Sequence, residues 1–264
     1  MRVVLWICIV LAGPGHLAAA QETPPPALAG DAKPTFEVAT IKPSQGDEHR
    51  AFFVNGIRLQ TTATSLTDLM SFGYSVHALQ VTGGPEWARS DKWDVVIEPN
   101  ATGRPSTAQM RVIVQQLLAD RFQLKVHHAS KDLEVYAVVP SKRGARLTPT
   151  TAKEAASNTA QGAAGPGMMM AKNATLPEFA NLMNRYLQLE WPVVDDTHIA
   201  GKYDFELRWI PETGTAAQPP VKDDPPVAPD LFAAMDEQLG LELIARKEPT
   251  DVLVIDGVRR PSEN

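Results

Sequence analysis

A shift of 110 residues lays the second half of this chain on the first without a gap. Ser65-Leu66 falls on Thr175-Leu176, Asp68-Leu69 on Glu178-Phe179, and Lys92-Trp93-Asp94 on Lys202-Tyr203-Asp204. A shift of 119 lays Lys131-Asp132 on Thr250-Asp251 and Leu133-Glu134-Val135 on Val252-Leu253-Val254. Identities are few, and chance resemblance is the alternative. What favours duplication is the element order, strand-helix-strand-strand-helix-strand-strand, which can be read on both sides with corresponding caps and turns. The 264 residues are therefore read as two blocks of about 100 residues, each large enough to form a core.

In the first block Phe36 to Lys42 alternates as a strand, and Phe52 to Leu59 around Asn55-Gly56 is the strongest hairpin signal, because both turn residues tolerate positive φ. Ser65 and Asp68 have the spacing of a capping box and open a helix that buries Leu66, Leu69, Met70 and Phe72. Leu79 to Thr82 and Lys92 to Glu98 read as strands on either side of the turn Gly83-Gly84-Pro85. A second helix starts near Ser106, with Met110, Ile113, Val114, Leu117 and Leu118 at helical spacing. Gln123 to His128 and Leu133 to Val139 are expected to form a hairpin around Lys131-Asp132. The fold class that follows is α+β: two similar tandem modules, each with two helices packed on small, mostly antiparallel sheets.

Composition divides the chain further. Residues 1–20 read as a signal peptide, with Arg2 as the charged start, Val3 to Leu11 as the apolar stretch and Ala18-Ala19-Ala20 as the cleavage site. An uncleaved anchor is the alternative, although the apolar run is about half the roughly 20 residues a spanning helix needs. A disordered tether over 21–35, a first module over 36–140, a flexible linker over 141–167 and a second module over 168–264 with a Pro-rich loop at 211–229 complete the expected organisation. Cys8 is the one cysteine and would leave with the signal, so the mature chain is expected to hold no disulfide, cysteine nucleophile or thiolate metal site. The net charge of −6 becomes more negative once Arg2 is lost, which argues against nucleic acid as a partner.

Several spaced runs carry a family resemblance: FEVATIKPS, SLTDLMSFGYSV, VTGGPEWARSDKWDV, LLADRFQLKVH, VVDDTHIAGKYDFEL, EQLGLEL and VLVIDGVRRPSEN. Together they resemble the large paralogous family of secreted proteins of unknown function expanded in Solibacter-type soil bacteria, over nearly the whole mature chain. That resemblance implies no established activity and no catalytic residue. ATLPEFANLMNRYLQLEW with the runs after it also resembles the short N-terminal module of secretins and TonB receptors, which implies engagement of other proteins rather than chemistry. The long 211–229 loop departs from that pattern.

Candidate chemistry is sparse. Asp195, Asp196 and His198 form a D-D-x-H cluster with oxygen and nitrogen ligands for a metal, or an ordinary polar loop beside Gly201. His127 and His128 are adjacent on a strand, so they should point to opposite faces, one packed and one solvated. Met168-Met169-Met170 could offer thioethers to Cu(I), but should split between faces in the same way. Glu37 and Asp94 could serve as a glycosidase pair only at a suitable separation. Trp87, in the loop after Gly83-Gly84-Pro85, is a candidate partner-binding aromatic, or a cover for the sheet. No G-x-S-x-G, H-E-x-x-H or phosphate-cradling glycine loop is present. The sequence thus points to a secreted or periplasmic, non-catalytic binding or scaffold protein, with no cofactor and no membrane span after signal removal. Its expected partner is another protein or a cell-envelope component. A hydrolase or metal-binding protein using the loop Asp195 to His198 is the alternative.

Overall fold

The computed structural model describes residues 26–45, 49–55, 57–151, 153, 161–187, 189–211 and 229–261. The expected signal peptide, nearly all of the Pro-rich loop, Gly56 of the hairpin turn and the middle of the 141–167 stretch lie outside them. Within the described residues the strands form three four-stranded sheets.

The first outer sheet contains β1 (Thr35–Pro43), β2 (Ala51–Asn55), β3 (Arg58–Thr64) and β5 (Trp93–Asn100), all antiparallel, in the order β1-β5-β3-β2. Strict alternation in β5 sends Trp93, Val95 and Ile97 to one buried face. The second outer sheet contains β7 (Thr148–Pro149), β8 (Gln161–Gly165), β9 (Met168–Ala174) and β11 (Tyr203–Arg208), in the corresponding order β7-β11-β9-β8. Trp93 lies opposite Pro43 and Thr64, and Tyr203 opposite Pro149 and Ala174. Next to each aromatic a carboxylate fixes a left-handed residue of the neighbouring strand. Asp94 Oδ1 accepts the N–H of Ala63 (φ 49°) at 2.9 Å, and Asp204 Oδ1 that of Asn173 (φ 54°) at 3.0 Å.

Helix α1 (Leu66–Tyr74) begins where the sequence places it, because Ser65 Oγ accepts the Asp68 N–H at 3.1 Å while the Asp68 carboxylate accepts the Ser65 N–H at 2.9 Å. Helix α4 (Leu176–Tyr186) repeats the reciprocal cap with Thr175 and Glu178. Each such cap stabilises its helix by about 1 kcal/mol. A four-residue turn, α2 (Trp87–Ser90), precedes β5, and α3 (Thr107–Arg121) buries the expected stripe from Met110 to Leu118. Its counterpart is α5 (Leu231–Ala234), continued by a π-helical turn over Met235–Leu239 and ended by Gly240 at φ 62°. A Cβ there would collide with the Gly144 carbonyl, so only glycine allows this approach.

The third sheet overturns the expected pair of tandem modules, each packing two helices on small sheets of its own. It is built from both halves. β6 (Lys125–Pro140) and β12 (Leu241–Gly257) pair antiparallel over their whole length, from Leu241 opposite Pro140 to Gly257 opposite Lys125. β4 (Val81–Gly83) adds parallel to one end of β12, and β10 (Val193–Asp195) parallel to one end of β6. The expected hairpin at Lys131-Asp132 is absent for the same reason. β12 supplies a pairing partner through that stretch, with Thr250 opposite Lys131 and Pro249 opposite Asp132. β4 reaches only Leu253 to Ile255, so Pro249 sits where the outer side of β12 is an open edge and no N–H is needed for the ladder.

The cores follow this exchange. The core under α1 and α3 includes Leu253 and Ile255 from β12, and the core under α4 and α5 includes Val138 from β6. Each half is closed by the far end of the other half's long strand. The stretch 141–167, expected to be a linker, carries β7 and β8, and β8 pairs with β9 from Gln161–Lys172 to Gly165–Met168. Backbone pairing needs no large side chain, which is why composition did not reveal it. Among the described residues no helix is long and apolar enough to cross a membrane.

Candidate functional site

The residues singled out in the sequence do not assemble. Asp195, at the end of β10, accepts the N–H of Thr197 at 3.0 Å and closes a local turn. Asp196 faces Arg246, whose Nη2 is 2.7 Å from its carboxylate and which also binds Glu248. The Arg246 hydrogen bond, against a small loss of hydration, holds the Asp196 carboxyl below the usual carboxylate range. His198 lies at φ 56° with its side chain 83% exposed and its Nδ1 3.0 Å from the Asp196 carbonyl. Among the described residues no group of three or more His, Cys, Asp or Glu side chains converges as a metal site would require.

His127 and His128 differ from expectation: both are exposed, paired with Asp256 and Asp251 at 2.8 Å each. They stand near one end of the long ladder, opposite Val254 and Leu253, with their rings turned out to the two aspartates. Met169 is buried and Met170 exposed, as a strand dictates. Glu37 sits at the bulge near Pro99 while Asp94 lies opposite Lys42, so the two carboxylates are at opposite ends of the β1–β5 pair. Trp87 is half-buried, edge-on to Trp93 with centroids 5.8 Å apart, and carries the Arg260 guanidinium 5.2 Å above its ring. It covers the first core.

A cleft of about 520 Å³ opens elsewhere, where the C-terminal end of α1 meets α4. It is the place where the two halves face each other away from the central sheet. Ser71, Phe72 and His77 come from one half and Asn184, Arg185 and Tyr186 from the other, with Arg50 and Arg111 at the sides. Arg185 reaches across the boundary: its guanidinium carbon lies 5.3 Å from the Phe72 ring centroid and 4.9 Å from that of Tyr186. Phe52 stacks on Phe72 with centroids 5.6 Å apart.

His77 ties the two walls together. Its Nδ1 accepts the Leu79 N–H at 3.2 Å, which leaves Nε2 to donate to the Leu189 carbonyl at 3.0 Å across the boundary. Burial, partly opposed by that bond, pulls the imidazole pKa below its ordinary value, so the neutral form is favoured. Asp68 is governed by opposing effects: burial alone would raise its pKa, but the Ser65 bonds and Arg50 outweigh it and keep the carboxylate ionised. Arg111 is pushed below its ordinary value by loss of solvent and by the nearby Arg185 charge.

None of these cleft residues was a functional candidate in the sequence, where Asp68, Phe72 and Phe52 stand only as a cap, a buried face and a hairpin strand, since the cleft draws on separate elements with no fixed spacing. Two signals were present. Arg111 shares a helical face with Val114 and Leu118, an unusual place for a cation, and Arg185 stands where the 110-residue shift has Ser75.

Fold and site together describe a sheet-rich protein of two interlocked halves with an arginine-bearing cleft at their boundary. The chain belongs to a family described as protein of unknown function (DUF3738), whose model matches residues 67–258. No curated protein and no solved structure matches it.

Proposed function

We propose that this is an exported, non-catalytic binding protein and that the cleft between its halves is the ligand site. The observation that carries the reading is that both halves contribute side chains to one concave site. There Arg111 and Arg185 have no carboxylate partner among the described residues. A general base must be free to reach a substrate proton, whereas the titratable groups of the cleft are engaged within the fold: His77 with backbone on both ring nitrogens, and Asp68 with its own cap and Arg50. Export is supported by residues 1–20, and a cell-envelope setting by the sequence resemblance to a family of secreted proteins and by the resemblance of the second half to the short N-terminal module of secretins and TonB receptors. The loop Asp195 to His198 is a weaker candidate because an arginine already neutralises Asp196.

The test is hydrogen exchange on the full chain, incubated with a small-molecule extract of cell envelope and culture medium from a native host. Protection should appear at the end of α1 and in α4, and the bound compound should be recovered chemically unchanged. Protection confined to 195–198, or recovery of a processed product, would replace the binding reading with the hydrolytic one.

A further inference from the structure

The charges in the cleft are unevenly matched. Arg50 lies 2.6 Å from Asp68, which is also bound by Ser65 and lies 3.6 Å from Lys92, so that carboxylate is fully engaged. Arg111 and Arg185 have no ion-pair partner among the described residues. The Arg111 Nε is buried without a hydrogen-bond partner, and so is the Ser71 Oγ on the facing helix. Two guanidiniums close enough to influence each other repel, and the repulsion grows as water is withdrawn. Leaving buried donors unpaired is costly as well. Both costs disappear if an acceptor with several oxygens enters, and the planar guanidinium fork suits carboxylate and phosphate groups. Because Arg185 is held over Phe72 and Tyr186, its position is fixed before anything binds. The stacked Phe52 and Phe72 supply an apolar wall alongside.

We infer that the cleft binds a small organic molecule bearing a doubly charged oxyanion, a phosphate monoester or two neighbouring carboxylates. Arg111 and Arg185 are its counter-ions, Ser71 Oγ is a further donor, and the Phe52–Phe72 pair lies against its apolar body. This rests on the cleft being the ligand site and adds the chemical class of the ligand. Two unmatched positive charges set the preference for a dianion over a monoanion. The aromatic wall sets the preference for an organic body over a bare ion.

Calorimetric titration of the full chain with phenyl phosphate, phthalate, inorganic phosphate and phenol tests it. Phenyl phosphate or phthalate should bind, with the tighter of the two identifying the source of the charge. Inorganic phosphate should bind more weakly, and phenol should give no heat. Arg111→Gln and Arg185→Gln should each weaken the tighter probe at least tenfold, whereas Arg208→Gln, which removes a cation paired with Glu206 on the second outer sheet, should leave it unchanged. If Arg111→Gln fails to fold, Arg185→Gln decides alone, since its side chain is only half-buried at the cleft wall. Equal binding of phenol and phenyl phosphate, unchanged affinity in Arg185→Gln, or no binding of either anion at millimolar concentration overturns the inference. Exchange protection of the cleft by the envelope extract that persists in both arginine variants would overturn the anion class while leaving the cleft as the site. Loss of protection everywhere would remove the site itself.

Discussion

The two halves share a frame and differ in what fills it. In the first, Trp93 is the centre, edge-on to Trp87 and to Phe122 with centroids 5.8 and 5.6 Å away. In the second, the equivalent Tyr203 is half-buried, and the large rings have moved to Phe179 and Phe205, stacked 4.2 Å apart. Their counterparts at the 110-residue shift are Leu69 and Val95. The caps Ser65–Asp68 and Thr175–Glu178 and the carboxylates Asp94 and Asp204 are kept in both. Backbone satisfaction therefore sets the frame, and aromatic volume can be redistributed within it as long as the space is filled.

The largest effect should come from separating the halves. Expressed apart, 26–140 and 141–264 should each be largely unfolded, because each core lacks a strand end that only the other supplies, and mixing them should restore structure. Circular dichroism of the fragments and their mixture checks this, and a cooperative melt of either fragment alone would mean that the shared sheet is dispensable.

Next in size is the contrast between the central aromatics. Trp93→Ala should cost about 3–5 kcal/mol, as removal of an enclosed ring does. Tyr203→Ala should cost about 1–3 kcal/mol, since its ring is only partly covered and its hydroxyl makes one bond, to the Ala200 carbonyl at 2.8 Å. Urea denaturation of the two variants measures both, and equal losses would show that the halves bury their aromatics alike.

The smallest effect concerns the joint at His77. Its folded pKa lies below the unfolded value of 6.5, so the unfolded chain binds more protons between the two. Stability is fully present above that value, falls as pH drops through it, and levels off below the folded pKa. Asp68 acts in a separate, more acidic window, stabilising above its unfolded value of 3.8 and losing that contribution below. Melting temperatures at pH 7.5 and 5.5 should therefore fall further for the native chain than for His77→Gln. Parallel falls would place the pH sensitivity elsewhere.

Helices α1, α3 and α4 and the strands of the first outer sheet were legible because their causes are local: a cap three residues from its carboxylate, an apolar period, and alternation in β5. The central sheet was not. Lys131-Asp132 looks like a turn until residues more than a hundred positions later are laid beside it, and no local signal announces that β4 and β10 run parallel to strands of the opposite half. β7 and β8 were hidden because small residues pair through their backbones. Of the cleft, Arg111 was visible as a cation on a buried face, but its meeting with Arg185 depends on how α1 and α4 pack.

The exchange of strand ends also bears on the order in which the chain can mature. Synthesis delivers a polypeptide N-terminus first. Leu253 and Ile255, which seal the first core, emerge after every other buried residue of that core. The half that is made first is therefore completed last, and closure waits on contacts between residues as distant as Val81 and Leu253. Such non-local closure slows folding. A slow folder stays unfolded for longer, and its unsealed helices α1 and α3 are the surface that a holding chaperone would cover until the last strand arrives.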